Sequence, residues 1–187
     1  MIKILAYGIL LFWLLAVVLG RLFQLDPNQI DLNAILNTPS SVYWLGNDDL
    51  GRSILARLLH GVEVSLLVAL SVTVVTMTVG VLIGLLAGFY GGRVDQALMQ
   101  VTDVFLAFPG ILLAIAFAAV LGPGLLNLMI ALSLTGWVSY ARLTRGQTLS
   151  LRDRQHVLAA LSLGASVPRL IGKHILPLLT SVLVVEA

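Results

Sequence analysis

Long apolar stretches alternate with shorter polar ones along the whole chain, and this alternation predicts helices that cross a membrane. The stretch from Val64 to Gly92 has no charged residue. A helix of that length exceeds the roughly 20 residues that a hydrocarbon core of about 30 Å requires. The same criteria of length and charge predict four full spans and part of a fifth. These spans are predicted at residues 4–25, 64–90, 97–121, 125–141 and, in part, 175–187.

The composition excludes an ordinary soluble domain. Of the 187 residues, 59% are hydrophobic and 11% are charged, whereas about a quarter of the residues in a typical soluble domain are charged. One globule of this size cannot bury so much apolar surface. The expected fold class is therefore all-α, a polytopic membrane helical bundle surrounded by the lipid bilayer. The chain has no cysteine, which rules out disulfides and thiol nucleophiles.

The distribution of lysine and arginine predicts the side of the membrane that each polar segment occupies. With a cytoplasmic N-terminus, only Arg21, Arg52 and Arg57 fall outside and the other basic residues fall inside, as the positive-inside tendency requires. Residues 21–63 are then an extracytoplasmic loop, and residues 142–174 are a cytoplasmic one. The first apolar stretch has the basic start of a signal peptide. No small-residue cleavage site follows it, so an uncleaved anchor is expected.

Gly80, Gly84 and Gly88 recur at every fourth position of the second predicted span. Residues four apart share one helix face, and without Cβ atoms they allow another helix to approach closely. This spacing predicts a helix-packing face. Whether the same face also slides or repacks during a conformational cycle is left open by the spacing.

The third predicted span contains two residues that are unusual in a membrane helix. Asp103 is a candidate functional residue because carboxylates at bilayer depth are costly and rare. Near a helix start, however, such a carboxylate can simply remain solvated and favour the helix dipole. Pro109 is predicted to lie inside the helix and to kink it, because proline has no N–H group to donate. Asp95 is predicted to cap the start of this helix.

Residues 142–174 form the one extended polar segment in the second half of the chain. Ser150–Asp153 has the form of a capping box, which predicts the start of a helix there. Gly164 is predicted to end that helix in a left-handed conformation, and Ser166 to cap a second short helix with Pro168 in its first turn. The result is a helix-turn-helix with small residues at its corner. Its basic rim suits an acidic partner surface or anionic lipid headgroups.

The residues of this segment do not indicate a catalytic site, a metal site or a phosphate-binding site. Ser166 has His156 and His174 near it in sequence, but no carboxylate orients either imidazole and no third metal ligand is suitably spaced. The stretch Gly164–Lys173 does not fit the phosphate-binding pattern G-x-x-x-x-G-K-[ST], because Val167 stands where the first Gly is needed. The sequence therefore predicts no catalytic residue, no metal ion, no cofactor and no nucleic-acid partner.

The segment resembles the "EAA" loop of permease subunits in binding-protein-dependent ABC importers, whose pattern is E-A-A-x-x-x-G-x9-I-x-L-P. Leu158 replaces the Glu of this pattern, and His174 replaces the Ile. A His before Ile-Leu-Pro, together with Gly164-Ala165-Ser166, is typical of the dipeptide/oligopeptide/nickel branch. The matching positions are Ala159, Ala160, Gly164, Leu176 and Pro177.

Other segments resemble the same branch, in the same order along the chain. Gly46–Arg52 is similar to G-T-D-x-L-G-R-D, and Ala87–Asp95 is similar to A-G-Y-x-G-G-x-x-D. Residues 100–109 are similar to M-R-x-x-D-x-x-x-A-F-P, with Gln100 in place of the Arg. The resemblance covers about residues 40–177.

The resemblance implies a multi-pass inner-membrane permease subunit of an ATP-driven bacterial importer for peptides, nickel or similar small solutes. The implied partners are a second homologous permease subunit, cytoplasmic ABC ATPase subunits and an extracytoplasmic solute-binding protein. ATP hydrolysis belongs to the ATPase subunits, so this chain is not expected to be an enzyme. The residues implied to couple it to the ATPase are Ala159, Ala160, Gly164, Ala165, Ser166, Arg169, His174, Leu176 and Pro177.

Two other interpretations compete with the importer. Family members continue beyond the position of Ala187, and the last apolar stretch reaches only about half-way across a membrane. A truncated, non-transporting scaffold or interaction protein is therefore one alternative. An intramembrane enzyme is the other, and it requires polar catalytic residues that face one another inside the spans, for which Asp103 is the main candidate.

Overall fold

The computed structural model describes residues 2–22 and 25–186, and most of them are helical, as the sequence predicts. A turn of 3₁₀ helix covers Leu32–Ala34, and a π-helical turn covers Ile171–Ile175 between the last two helices. The helices are α1 Ile2–Leu22, α2 Ile54–Tyr90, α3 Gly92–Leu106, α4 Gly110–Leu121, α5 Leu125–Arg152, α6 Gln155–Ser162, α7 Val167–Leu170 and α8 Leu176–Glu186.

Length and composition identify the helices that can cross a membrane. Among the described residues, α2 and the continuous helical run Val167–Glu186 are each long and apolar enough. The bent pair α3–α4 makes a third if it counts as one span. The count of four full spans and part of a fifth stays a prediction. The first predicted span includes residues 23 and 24 and the last includes Ala187, which lie outside the described residues.

The chain divides into two compact units, Met1–Ala69 and Leu70–Ala187, and α2 runs through both. In the first unit, α1 lies against the start of α2. Gly20 is close to Leu59, since a Cβ added to the glycine would be 3.2 Å from the Leu59 Cβ. One turn further along α2, the Arg21 guanidinium pairs with Glu63 at 2.6 Å.

Asp48 organises the polar loop of the first unit. Its Oδ1 accepts hydrogen bonds from the N–H groups of Leu50 and Arg52, both at 2.9 Å. Its Oδ2 accepts from Arg52 Nε at 2.8 Å and from Arg57 Nη1 at 2.5 Å. Partial burial acts to raise the pKa of Asp48, but the hydrogen bonds from Arg52 and Leu50 and the Arg52 charge lower it to about 2.

The third predicted span is not one kinked helix. Helix α3 ends at Leu106, and α4 begins at Gly110 with an axis bent by 82°. Pro109 is the residue that precedes α4 and has an extended ψ of 120°, so its prediction as a helix-interior residue is wrong. The proline has no N–H group to donate and disfavours helical geometry in the residue before it. Both effects act at the break.

The predicted cap of α3 is also wrong. The helix begins at Gly92, with Gly91 as its N-cap at φ +66°. Asp95 therefore lies within the first turn of α3, and its side chain forms an ion pair with Arg145 of α5.

In the second unit, α2 and α5 are in backbone contact along the glycine row of α2. Side-chain carbons on Gly80, Gly84 or Gly88 would each lie less than 3 Å from atoms of α5. Such distances are far below van der Waals contact, so only glycine fits at these three positions. The nearest Cβ atoms of α5 belong to Tyr140, Thr144 and Thr148, at 2.5, 2.6 and 2.7 Å respectively.

A hydrophobic core, named here the coupling core, joins α2 and α5 to the helices that follow α5. Leu151 at the end of α5, Val157 in α6 and Leu170 in α7 are each at most 4% exposed. Helix α8 contributes Leu179 and Leu183, and the π-helical turn contributes Ile175. The buried members are Val81, Leu85, Tyr140, Leu151, Val157, Leu170, Ile175, Leu179 and Leu183.

Gly84→Ala is expected to destabilise the protein by about 1–3 kcal/mol, the usual cost of overpacking a close contact. The matched control is Gly61→Ala on the same helix, where the added Cβ meets no atom within 4 Å. Thermal unfolding in detergent, followed by tryptophan fluorescence, compares the two variants. Equal midpoints would contradict the close α2–α5 contact.

Asp48→Asn is expected to open the polar loop at neutral pH, whereas Asp49→Asn is the control because its side chain is 80% exposed. Tryptic cleavage after Arg52 measures the opening.

Because the folded pKa of Asp48, about 2, lies below the unfolded value of about 3.9, the Asp48 carboxylate stabilises the wild-type loop above about pH 4. That contribution is lost as the pH falls through about 2, and Trp44 fluorescence in a chain whose other tryptophans are phenylalanine follows it. Equal tryptic cleavage of Asp48→Asn and Asp49→Asn would refute this role of Asp48 in the loop.

Candidate functional site

The turn after α6 has the geometry that the sequence predicts for Gly164. The Gly164 N–H donates to the Leu161 carbonyl at 2.9 Å, and the Ala165 N–H donates to the Ala160 carbonyl at 3.0 Å. This pair of bonds is the Schellman motif, which requires a left-handed residue at the glycine position. Gly164 has a φ of +81°, so any other residue there is strained.

Of the two short helices that flank this turn, α6 begins differently from the prediction, and α7 begins where the sequence predicts. Ser150 lies inside α5, which continues to Arg152, and α6 begins at Gln155. The predicted start of a helix at Ser150–Asp153 is therefore wrong, because the buried Leu151 holds the last turn of α5 on the coupling core. Ser166 is the N-cap of α7, with Pro168 in the first turn, but its side chain makes no capping hydrogen bond.

The inner side of the α6–α7 turn rests on the coupling core. Ala160 and Ala165 are half-buried and pack against it, as does Leu176 in the first turn of α8. Their small size lets α6 and α7 lie close to the core. The structure therefore places these three predicted partner-contact residues inside the fold.

Three leucines of α6 and its C-cap are exposed and are named here the leucine face: Leu158 at 46%, Leu161 at 53% and Leu163 at 88% exposure. Sequence analysis missed this face, because single leucines carry no signal in so apolar a chain. Four of the predicted contact residues are also exposed: Ala159, Gly164, Ser166 and Arg169. Arg154, His156 and Lys173 are exposed basic neighbours.

The two histidines of the segment lie near each other. His174 is half-buried in the π-helical turn, and its ring centroid is 6.4 Å from that of His156. Within the described residues, no three His, Asp or Glu side chains form a group that could hold a metal ion. Pro177 is exposed just after this turn. It has no N–H for the Lys173 carbonyl, which fits a local departure from α-helical bonding.

Two arginines of α5 hold the corner between α2 and α3, and we call this set the arginine clamp: Asp95, Arg145 and Arg152. Arg145 pairs with both carboxylate oxygens of Asp95, with an Nη2–Oδ2 distance of 2.7 Å. Arg152 Nη1 donates to the carbonyl of Gly88 at 2.9 Å and contacts that of Phe89 at 3.4 Å. These carbonyls end α2, and a guanidinium is a suitable donor and counter-charge for them.

Asp103 forms a second ion pair between α3 and α5. Its Oδ1 accepts from Arg142 Nη2 at 2.5 Å, and both side chains are more than half exposed. The sequence singled out Asp103 but gave no partner for it. Pro109 lies beyond the end of α3 and is exposed in the break before α4.

Comparison with known proteins identifies the family of the chain. Residues 80–187 match the family described as "Binding-protein-dependent transport system inner membrane component". The match covers more than half of the chain and contains the glycine row, the arginine clamp and the α6–α7 turn. The chain belongs to this family of permease components.

Individual relatives are peptide, glutathione and nickel transport permeases. The chain is 37% identical to the oligopeptide transport system permease protein of Bacillus subtilis, over 90% of this chain and 55% of the relative. It is 42% identical to the glutathione transport system permease protein of Pectobacterium atrosepticum, over 80% and 50%. It is 43% identical to the nickel transport system permease protein of Escherichia coli K12, over 80% and 54%. The chain spans about half the length of these relatives.

Arg145→Gln and Asp95→Asn are expected to be coupled in a double-mutant cycle by about 1 kcal/mol, the upper end for partly exposed pairs. The control cycle, Arg142→Gln with Asp103→Asn, probes a pair that is more than half exposed and is expected to show less coupling. Thermal unfolding in detergent measures both cycles. Additive effects at Arg145 and Asp95 would contradict the clamp.

Proposed function

We propose that this chain acts as a permease subunit of an ATP-driven importer for peptides, nickel or similar small solutes. Its membership of the family and the names of its relatives support this assignment. The observation that carries the coupling part of the proposal is the α6–α7 turn, which is fixed to the coupling core through Ala160 and Ala165 and leaves the leucine face exposed.

The proposed partner of the leucine face is a cytoplasmic ATPase subunit. Exposed leucines provide apolar area that is released from water on docking. Arg154, Arg169 and Lys173 are exposed in the same segment, and their positive charge favours an acidic rim on the partner. Ala159, Gly164 and Ser166 complete the contact surface. Ala160, Ala165 and Leu176 support it from beneath, while His174 and Pro177 shape the turn that leads into α8.

Movement of the docked turn would reach the membrane helices through rigid contacts. Leu151 and Val157 pack together with residues of α8 in the coupling core, so the turn does not move independently of α5. The arginine clamp then joins α5 to the end of α2 and the start of α3. ATP binding in the partner biases the permease between inward-open and outward-open states if it favours one position of this assembly.

The remaining parts of the assignment follow the sequence and the family. The proposed location is the bacterial inner membrane, with a cytoplasmic N-terminus, four full spans and part of a fifth within this chain. A second homologous permease subunit completes the translocation pathway, and an extracytoplasmic binding protein delivers the solute. ATP is hydrolysed by the partner subunit and not by this chain.

Leu163→Asp is expected to abolish co-purification of candidate ATPase subunits from the same genome, because it places a charge on the most exposed leucine of the face. Leu32→Asp is the matched control, since Leu32 is 69% exposed and lies in the predicted extracytoplasmic loop. Both variants should insert into membranes as the wild type does. Higher salt should weaken capture by the wild type, because the basic rim contributes attraction that salt screens.

The opposite results are equally informative. Capture that survives in Leu163→Asp would refute docking through the leucine face. If the wild type captures no ATPase while a full-length relative captures the same subunits, the importer assignment fails for this chain. A non-transporting scaffold then becomes the better description.

A further inference from the structure

One face of α5 is polar although nothing in the described part of this chain covers it. Ser139, Arg142, Gly146 and Ser150 are exposed, and their spacing of three or four residues places them on one side of the helix. We call this set the polar face of α5. The buried residues of this part of α5 occupy the opposite side. They are Trp137, Tyr140, Ala141, Thr144, Thr148 and Leu151, while the buried Val138 lies at the edge of the polar face.

The ion pair between Asp103 and Arg142 determines what the polar face of α5 can contact, because the other residues of that face are small and uncharged. Asp103 and Arg142 are 60% and 54% exposed within the chain. Helix α3 is held beside them by the edge-to-face contact of Phe105 with Trp137, whose ring centroids are 5.3 Å apart. The two charges therefore lie side by side on a surface that the described residues leave open.

The predicted spans place the pair at the cytoplasmic boundary of the membrane, with Arg142 directly after the predicted span 125–141. Helix α5 is about 42 Å long at helical rise, which exceeds a core of about 30 Å, and Arg142 lies about 26 Å from its first residue. Ser139 is one turn deeper. Asp103 falls within the third predicted span. A carboxylate inside a span, such as that of Asp103, faces a helix bundle interior or a water-filled cavity, and not lipid.

We infer that the polar face of α5 lines the aqueous path of the solute, and that Asp103 and Arg142 form a charged gate at the cytoplasmic end of that path. The inference rests on the proposed function and deepens it. An ammonium group on a solute can compete for Asp103, and a carboxylate can compete for the Arg142 guanidinium. The ligands that suit this gate are therefore small hydrophilic solutes that carry both charges.

The chain contains no cysteine, so a single introduced thiol reports on its own surroundings. Ser139→Cys places the thiol one turn from Arg142 on the polar face. Leu82→Cys is the matched control on α2, where the side chain is 56% exposed. It lies at a similar depth, because the nearby Gly80 contacts Tyr140. Both full-length chains are assayed in inside-out membrane vesicles with a cationic and an anionic methanethiosulfonate reagent.

Water at the polar face is expected to make the thiol of Ser139→Cys react at least about tenfold faster than that of Leu82→Cys, because the reactive thiolate does not form in lipid. The charges of the gate should also change which reagent is preferred. Arg142→Gln leaves Asp103 unpaired and should raise the cationic-to-anionic rate ratio about threefold to tenfold, and Asp103→Asn should lower it similarly. Wild-type thermal midpoints in these variants exclude misfolding as the cause.

Three outcomes would overturn the inference. Equal, slow labelling of both thiols places the face against lipid. Slow labelling of the Ser139→Cys chain, with disulfide cross-linking to a cysteine in a second permease chain, makes the face a subunit interface. If labelling of the Ser139→Cys chain is fast but neither gate variant changes the charge preference, Asp103 and Arg142 do not lie on the aqueous path. The assay needs no ATPase, so the coupling proposal is tested independently: labelling can fail while ATPase capture succeeds, and the reverse.

Discussion

The close contact of α2 with α5 is the constraint on which the rest of the second unit depends. Three glycines spaced four residues apart leave α2 without Cβ atoms on the contact line, so its backbone meets the backbone and Cβ atoms of α5 directly. In lipid, helices gain little from hydrophobic burial, and such packing is a main source of association. The register of this contact sets the ends of both helices. Arg152 reaches the carbonyls of Gly88 and Phe89 only because Gly88 lies opposite Thr148, one turn earlier on α5.

Helix α5 then connects three different environments. One side is buried against α2 and α3, the opposite side is polar and open, and the end enters the coupling core through Leu151. A helix fixed in this way moves as a rod, because close-packed contacts do not deform continuously. Displacement of the α6–α7 turn would therefore reach the polar face without an unfolded intermediate. The arginine clamp extends the same body to the start of α3.

Local patterns in the sequence predicted the features that depend on local geometry. The glycine spacing indicated close packing, and Gly164 with Pro168 indicated a left-handed helix end followed by a new helix. The structure has both features. The predictions that failed depend on distant residues. The capping pattern at Ser150 was overridden because Leu151 is buried by other helices, and Asp95 found an arginine fifty positions away. Pro109 contributed to a complete break, and the sequence offered no way to predict the 82° bend.

The two sides of the α6–α7 turn give the family pattern a physical meaning in this chain. The alanine at the third position of E-A-A, Ala160, faces inward and must be small because the coupling core lies beneath it. The first position is exposed, and Leu158 occupies it in place of the acidic residue. This change extends the leucine face and removes a negative charge from a basic surrounding. A partner groove that fits this chain should therefore combine an apolar floor with acidic edges, because burial supplies affinity while charge supplies orientation.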